Sequence, residues 1–182
     1  MVVMLAVSMT GCYSSYQPIS VQTLDTVLTS GRLEYYGKFY KAEGIQYDVI
    51  SLDLYSHGLG LNADGKMEGV GTNLYISDIF VPASQGAGQL AEYLPAGAYQ
   101  SDTTANLMHF LCGLDYDGNY GGSYILLMGE TGYKVLPITE GEMTVAYAGD
   151  TLVLDGKATL RGQRKPYTFH YRDILPVTNR KR

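Results

Sequence analysis

The sequence predicts an all-β domain, an antiparallel β-sandwich or closed barrel of about ten short strands. Three observations predict it. Apolar residues recur with a period of two from Leu33 onward, and Asp-Gly dipeptides punctuate the chain. The composition, finally, combines 17 Tyr and 22 Gly with no Trp and only 17% charged residues. Tyr suits a half-buried pleated surface and Gly suits tight turns, so this pairing favours sheets over helices. At 182 residues the chain is long enough for one domain with a sizeable core.

The N-terminal segment reads differently. Val2 to Met9 is apolar apart from Ser8 and leads into Thr10, Gly11 and Cys12. So short a run cannot cross a bilayer as a helix, which takes about 20 residues. It does suit the apolar region of an export signal, followed by small residues at the cleavage point. Met9-Thr10-Gly11-Cys12 resembles the bacterial lipobox. The resemblance implies that residues 1–11 are removed and that Cys12 receives the lipid, palmitate among its acyl chains. Several chains on one residue exceed the two-signal threshold for stable anchoring. Residues 12–31 are then anchor and tether, beginning with the polar stretch Tyr13-Ser14-Ser15-Tyr16-Gln17-Pro18. The membrane is the expected partner through this lipid. Tyr13, rather than Asp, follows the cysteine, which under the usual sorting rule implies outer-membrane delivery.

Residues 32–178 form the expected β domain and 179–182 a basic tail, read as solvated. Val21 to Leu28 is a short helix or a first strand that Gly31 closes. Ile50, Leu52 and Leu54 alternate with Ser51, Asp53 and Tyr55, the pattern of a half-buried strand. Met143-Val145-Tyr147 and Tyr167-Phe169-Tyr171 repeat that alternation. Tyr124 to Met128 is continuously apolar, as in a central strand covered on both faces. Asp64-Gly65, Asp117-Gly118 and Asp155-Gly156 read as hairpin turns, because Gly supplies the positive φ that such turns need. Between Pro82 and Gly97 lies the longest break, with one helical turn at Gln89–Leu94. Two stretches suggest a duplicated three-stranded unit: Ile50 to Pro82, with Asp64-Gly65-Lys66 inside it, and Met143 to Pro176, with Asp155-Gly156-Lys157 inside it.

The runs Phe110 to Gly118 with Gly122-Ser123-Tyr124, and Pro137 to Val145 with Gly149-Asp150, are similar to those of small all-β envelope lipoproteins of Bacteroidetes. The resemblance covers roughly residues 46–176. It implies fold and lineage, and a cell-envelope, outer-membrane location. Most of those proteins have no assigned activity, so it implies no chemistry.

The residues themselves argue for binding or structural work and against catalysis. A net charge of −5 argues against a phosphate-backbone partner, which demands a basic face, so nucleic acid is not expected. With Cys12 lipidated, Cys112 is left unpaired and reads as an inert thiol. His109 lies three residues away, an offset that sets the two side chains on opposite strand faces. His57, His109 and His170 lack ligand spacing. Asp115, Asp117 and Asn119 partly match a calcium loop, but Leu126 occupies its twelfth position in place of Glu, so no metal or other cofactor is expected. Paired carboxylates for acid–base work would have to come from Asp48 with Asp53 or Glu140 with Glu142, read as turn or solvent-facing positions. The candidate ligand-binding residues are Tyr116, Asp117, Asn119 and Tyr120, an aromatic hairpin tip suited to a glycan or protein. Elsewhere the tyrosines read as cross-strand pairs. A lipocalin-like carrier, with an apolar ligand in a barrel cavity, is the alternative and would show a hollow core.

Overall fold

The computed structural model describes residues 24–84, 88–116 and 119–181. The signal segment, Cys12 and most of the tether therefore lie outside the described residues, as do Asp117 and Gly118. Strands β1 (Val27–Gly37) and β2 (Asp48–Ser56) pair antiparallel. A small hairpin, β3 (Leu59–Leu61) and β4 (Met67–Gly69), leads into β5 (Gly71–Val81), which returns along β2. One helical turn, α1 (Leu90–Tyr93), falls where the sequence placed it and precedes β6 (Gly97–Asp102) and β7 (His109–Leu111). The hairpin β8 (Leu114–Tyr116) and β9 (Asn119–Gly121) projects before β10 (Tyr124–Gly129). A meander follows: β11 (Gly132–Ala148), β12 (Thr151–Leu160) and β13 (Tyr167–Asp173). Finally β14 (Val177–Asn179) runs parallel beside β1.

The all-β class is as the sequence predicts. Ten strands make one large sheet, mixed rather than purely antiparallel, because β1–β13, β1–β14 and β6–β7 pair parallel. The path β10-β11-β12-β13-β1-β2-β5 meets itself where β5 pairs β10, and β7 and β6 bridge β5 to β11 beside that junction. It is not a clean barrel. Leu33, Leu52, Leu54, Leu74 and Ile76 from one side meet Ile125, Val145, Leu154 and Phe169 from the other in a single buried cluster. Tyr99, Phe110 and Phe169 are its largest fully buried side chains.

Several expectations are corrected. Strand β2 is buried at every position, not on alternate ones. Its inner face carries Ile50, Leu52 and Leu54, while Ser51, Asp53 and Tyr55 lie on the outer face, where Arg32 and Asn73 from the neighbouring strands bond Asp53. The apolar run at β10 is central, paired with β5 and β11, but Tyr124, Leu126 and Met128 are only half-buried. Gly31 does not close an element. It lies within β1, where a Cβ would come 2.6 Å from both Asp53 O and Leu54 Cδ2.

Asp155-Gly156 is no hairpin. Gly156 sits in the middle of β12, paired with Met143 and Phe169, and the Phe169 ring covers it. Asp64-Gly65 by contrast is a turn, with Gly65 N–H donating to Asn62 O. The two Asp-Gly-Lys segments thus occupy different places. The first unit is a strand pair with a hairpin excursion and the second a three-strand meander. Nor are all the C-terminal basic residues a solvated tail: Arg180 N–H donates to Tyr35 O, and Lys181 Nζ lies 4.7 Å from the centre of the Tyr35 ring.

Leu52 is fully buried, so Leu52→Ala should cost about 2–5 kcal/mol. His57 is exposed in the turn after β2, and His57→Ala should change stability by no more than about 0.5 kcal/mol. Gly156→Ala would bring a Cβ to 2.1 Å from Phe169 Cζ, inside a filled core, and should cost about 1–3 kcal/mol. Denaturant melts in which His57→Ala proves the most damaging of the three would contradict this packing.

Candidate functional site

The hairpin tip singled out by sequence is built by a constricted neck. Gly122 adopts φ +67°, where a Cβ would lie 2.0 Å from Cys112 O, and a Cβ on Gly113 would lie 2.2 Å from Ser123 O. Only glycine permits that approach, so the turn-glycine pattern of residues 110–124 is a packing requirement. Above it β8 and β9 pair through Asp115↔Tyr120 and Tyr116↔Asn119. Asn119 is exposed and Tyr120 is 46% exposed, while the Tyr116 side chain lies outside the described ones. Arg161 Nη1 reaches Asp115 Oδ2 at 3.3 Å, tying the hairpin to the β12–β13 turn.

The carboxylate pairs separate. Asp48 and Asp53 are both buried, against expectation, and five residues apart they face opposite sides of β2. Glu140 and Glu142 are exposed and share one open depression of about 340 Å³ with Lys157 and Gln100. His109 Nδ1 lies 2.8 Å from Leu107 O, and Cys112 Sγ donates to Thr139 O at 3.3 Å. His170 Nδ1 meets Asp155 Oδ1 at 2.6 Å on the exposed side of β12 and β13. Among the described residues no cluster of His, Cys, Asp or Glu could hold a metal ion.

A second site emerges that sequence reading missed. Register places Arg32 opposite Asp53, Asp53 opposite Tyr75, and Tyr75 opposite Tyr124. These four residues form one continuous row across the outer faces of β1, β2, β5 and β10. The Tyr75 and Tyr124 rings lie 5.1 Å apart, tilted by 33°. Asp53 accepts from Arg32 Nη2 at 3.1 Å, from Asn73 Nδ2 at 2.7 Å and from the Tyr55 hydroxyl. Glu34 accepts from Tyr36 at 2.7 Å and from Arg180 Nη2 at 3.0 Å. Beyond the row Tyr40 donates to Asp78 at 2.7 Å, and at the far end of β2 Tyr35 donates to Asp48 at 2.6 Å. Asp78, at φ +46°, is an extra β5 residue opposite β2, a bulge that aims its carboxylate at Tyr40. Four phenols thus hold four carboxylates.

Two buried atoms in this network have no partner: Arg32 Nε and Asn73 Oδ1. The Asn73 orientation is fixed, because its Nδ2 donates to both Asp53 and Leu54 O. An unpaired buried polar atom costs about 1–3 kcal/mol, so the site carries a built-in deficit.

No family model matches the chain, and neither a curated protein nor a solved structure matches it significantly.

Burial and the hydrogen bonds together set the pH response. Burial first, and then the adjoining carboxylates, raise the Tyr36, Tyr40 and Tyr55 phenols far above their ordinary 10.0. Tyr124 is pushed up to about 12 by burial, with Tyr75 and Asp53 adding to it. A folded pKa raised above the unfolded one adds stability that is complete below pH 10 and disappears as pH rises through the folded value. Glu34 behaves oppositely. Burial alone would raise it, but the bonds from Tyr36 and Arg180 hold it below its ordinary 4.5. Its contribution is present above that value and is lost as pH falls through the lower, folded one. Thermal melts should show a plateau from about pH 5 to pH 10 with losses on either side, the alkaline loss accompanied by tyrosinate absorbance. A midpoint still rising above pH 10 would contradict the tyrosine assignment.

Proposed function

We propose that this chain is a lipid-anchored envelope protein, acylated at Cys12 and held at the outer membrane, whose rigid β domain binds a ligand and performs no catalysis. The observation that carries the binding reading is the row Arg32-Asp53-Tyr75-Tyr124, a half-buried aromatic pair set beside a hydrogen-bonded charge network on an outer sheet face. Amphipathic rings beside fixed polar groups are what recognition surfaces use. The carboxylates there are engaged by tyrosines and arginines, which favours binding over acid–base chemistry. The address rests on the apolar run that ends in Thr10-Gly11-Cys12. The carrier alternative is less supported, since buried side chains from both halves of the sheet join in a single cluster. The β8–β9 tip, with Asn119 and Tyr120 exposed beside Tyr116 and Asp117, is a second contact point.

Cells fed a fatty-acid analogue should label the wild type and not Cys12→Ala; equal labelling of the two ends the anchoring proposal. For the tip, Tyr116→Ala with Tyr120→Ala should leave the melting midpoint nearly unchanged while ligand retention falls. Normal retention with early melting would make both tyrosines structural.

A further inference from the structure

The reading of this face as a binding surface leaves the ligand unspecified, and the chemistry of the row narrows it. Arg32 and Arg180 stand against Glu34 and Asp53, so these four ion-paired charges sum to zero. A cationic or anionic ligand would find no net complement there. The two unpartnered atoms ask for opposite things. Arg32 Nε is a donor in need of an acceptor, and Asn73 Oδ1 is an acceptor in need of a donor. Both residues bind the same carboxylate, Asp53, one at each oxygen. Asn73 is 1% exposed and held by two bonds of its own, so its Oδ1 is a fixed element of the site. A hydroxyl group donates and accepts at once, whereas a carboxylate only accepts and an ammonium only donates. Beside these atoms Tyr75 and Tyr124 supply rings against which an apolar face can pack.

We infer that the outer face of β1, β2, β5 and β10 binds a neutral glycan. One sugar ring packs on the Tyr75–Tyr124 pair, and neighbouring hydroxyls satisfy Arg32 Nε and Asn73 Oδ1. The inference rests on the binding reading above and adds the ligand class. Both atoms are covered, so seating the sugar requires the Arg32 side chain, 28% exposed, to turn its Nε outward while its bond to Asp53 is kept. Neutral network charge selects against sulfated and sialylated sugars, and the stacked ring sets affinity.

The test titrates the full chain with short neutral oligosaccharides of hexose and N-acetylhexosamine, alongside sulfated and sialylated ones of the same length. Saturable binding of at least one neutral oligosaccharide is expected. Tyr124→Phe should retain it, while Tyr124→Ala and Arg32→Lys should each weaken it by roughly tenfold or more. Arg32→Lys keeps the charge and removes only the planar donor set, so it stays informative if Tyr124→Ala does not fold. Failure of every neutral oligosaccharide to bind, binding of charged ones alone, or full binding by both weakening variants would overturn the inference. A peptide ligand lost in those same variants would overturn the glycan assignment while the broader binding reading stands. A ligand that neither variant affects would remove both.

Discussion

A carboxylate buried in the middle of a sheet has to be neutralised where it stands, and Asp53 is the point on which one whole face of this protein turns. Stripping water from an ionised carboxylate without replacement is prohibitive, so each of its oxygens is given donors: Arg32, Asn73 and Tyr55. Those donors come from three adjacent strands. The register of β1 on β2 and of β2 on β5 therefore cannot slip by a residue without stranding a charge. Glu34 carries the same constraint outward. It shares Arg32 with Asp53 and draws Arg180 down onto β1, which docks the C-terminal residues beside the first strand.

The inner face obeys a different constraint, one of volume. Aromatic side chains fill the space that glycines leave. A Cβ on Gly156 would meet Phe169, and one on Gly141 would come within 3.1 Å of Phe110. Large rings packed over bare backbone let a strand carry a glycine without leaving a void, because the ring restores the burial that the missing side chain would have given. The start of the described chain is tied into the same assembly. Asp25 accepts from Ser56 through its carboxylate and from Tyr167 through its backbone carbonyl, while its N–H donates to Thr72.

Tyrosine is the residue that serves both faces. Tyr99 and Tyr167 are buried in the core, each with its hydroxyl on a backbone carbonyl, from Pro95 and Asp25 respectively. Tyr35, Tyr36, Tyr40 and Tyr55 use the same hydroxyl on carboxylates. A phenol offers ring area for packing and one strong donor at its tip, so it can close a polar site with no added charge. Cross-strand ring pairing, the simpler role, joins Tyr75 with Tyr124, whereas Tyr167 stacks on its same-strand neighbour Phe169.

The sequence by itself determined the class of fold and the location of several of its breaks. Period-two alternation, the Asp64-Gly65 turn, the helical turn near Leu90 and the glycines around the β8–β9 hairpin are local signals, and local backbone preference reads them directly. It was silent on pairing partners. Asp155-Gly156 has the residues of a turn but lies in a strand, because Phe169 and Met143 on neighbouring strands outweigh a dipeptide's preference. Strand β2 alternates like a half-exposed strand but is buried on both faces, and the groups that bond Asp53 on its outer face come from positions 32 and 73 on the neighbouring strands. The candidate row draws on residues 32, 53, 75 and 124, roughly twenty to fifty apart. No motif spans such intervals. Only the closure of the chain into register, driven by burial of the inner face, brings four separate side chains onto one line.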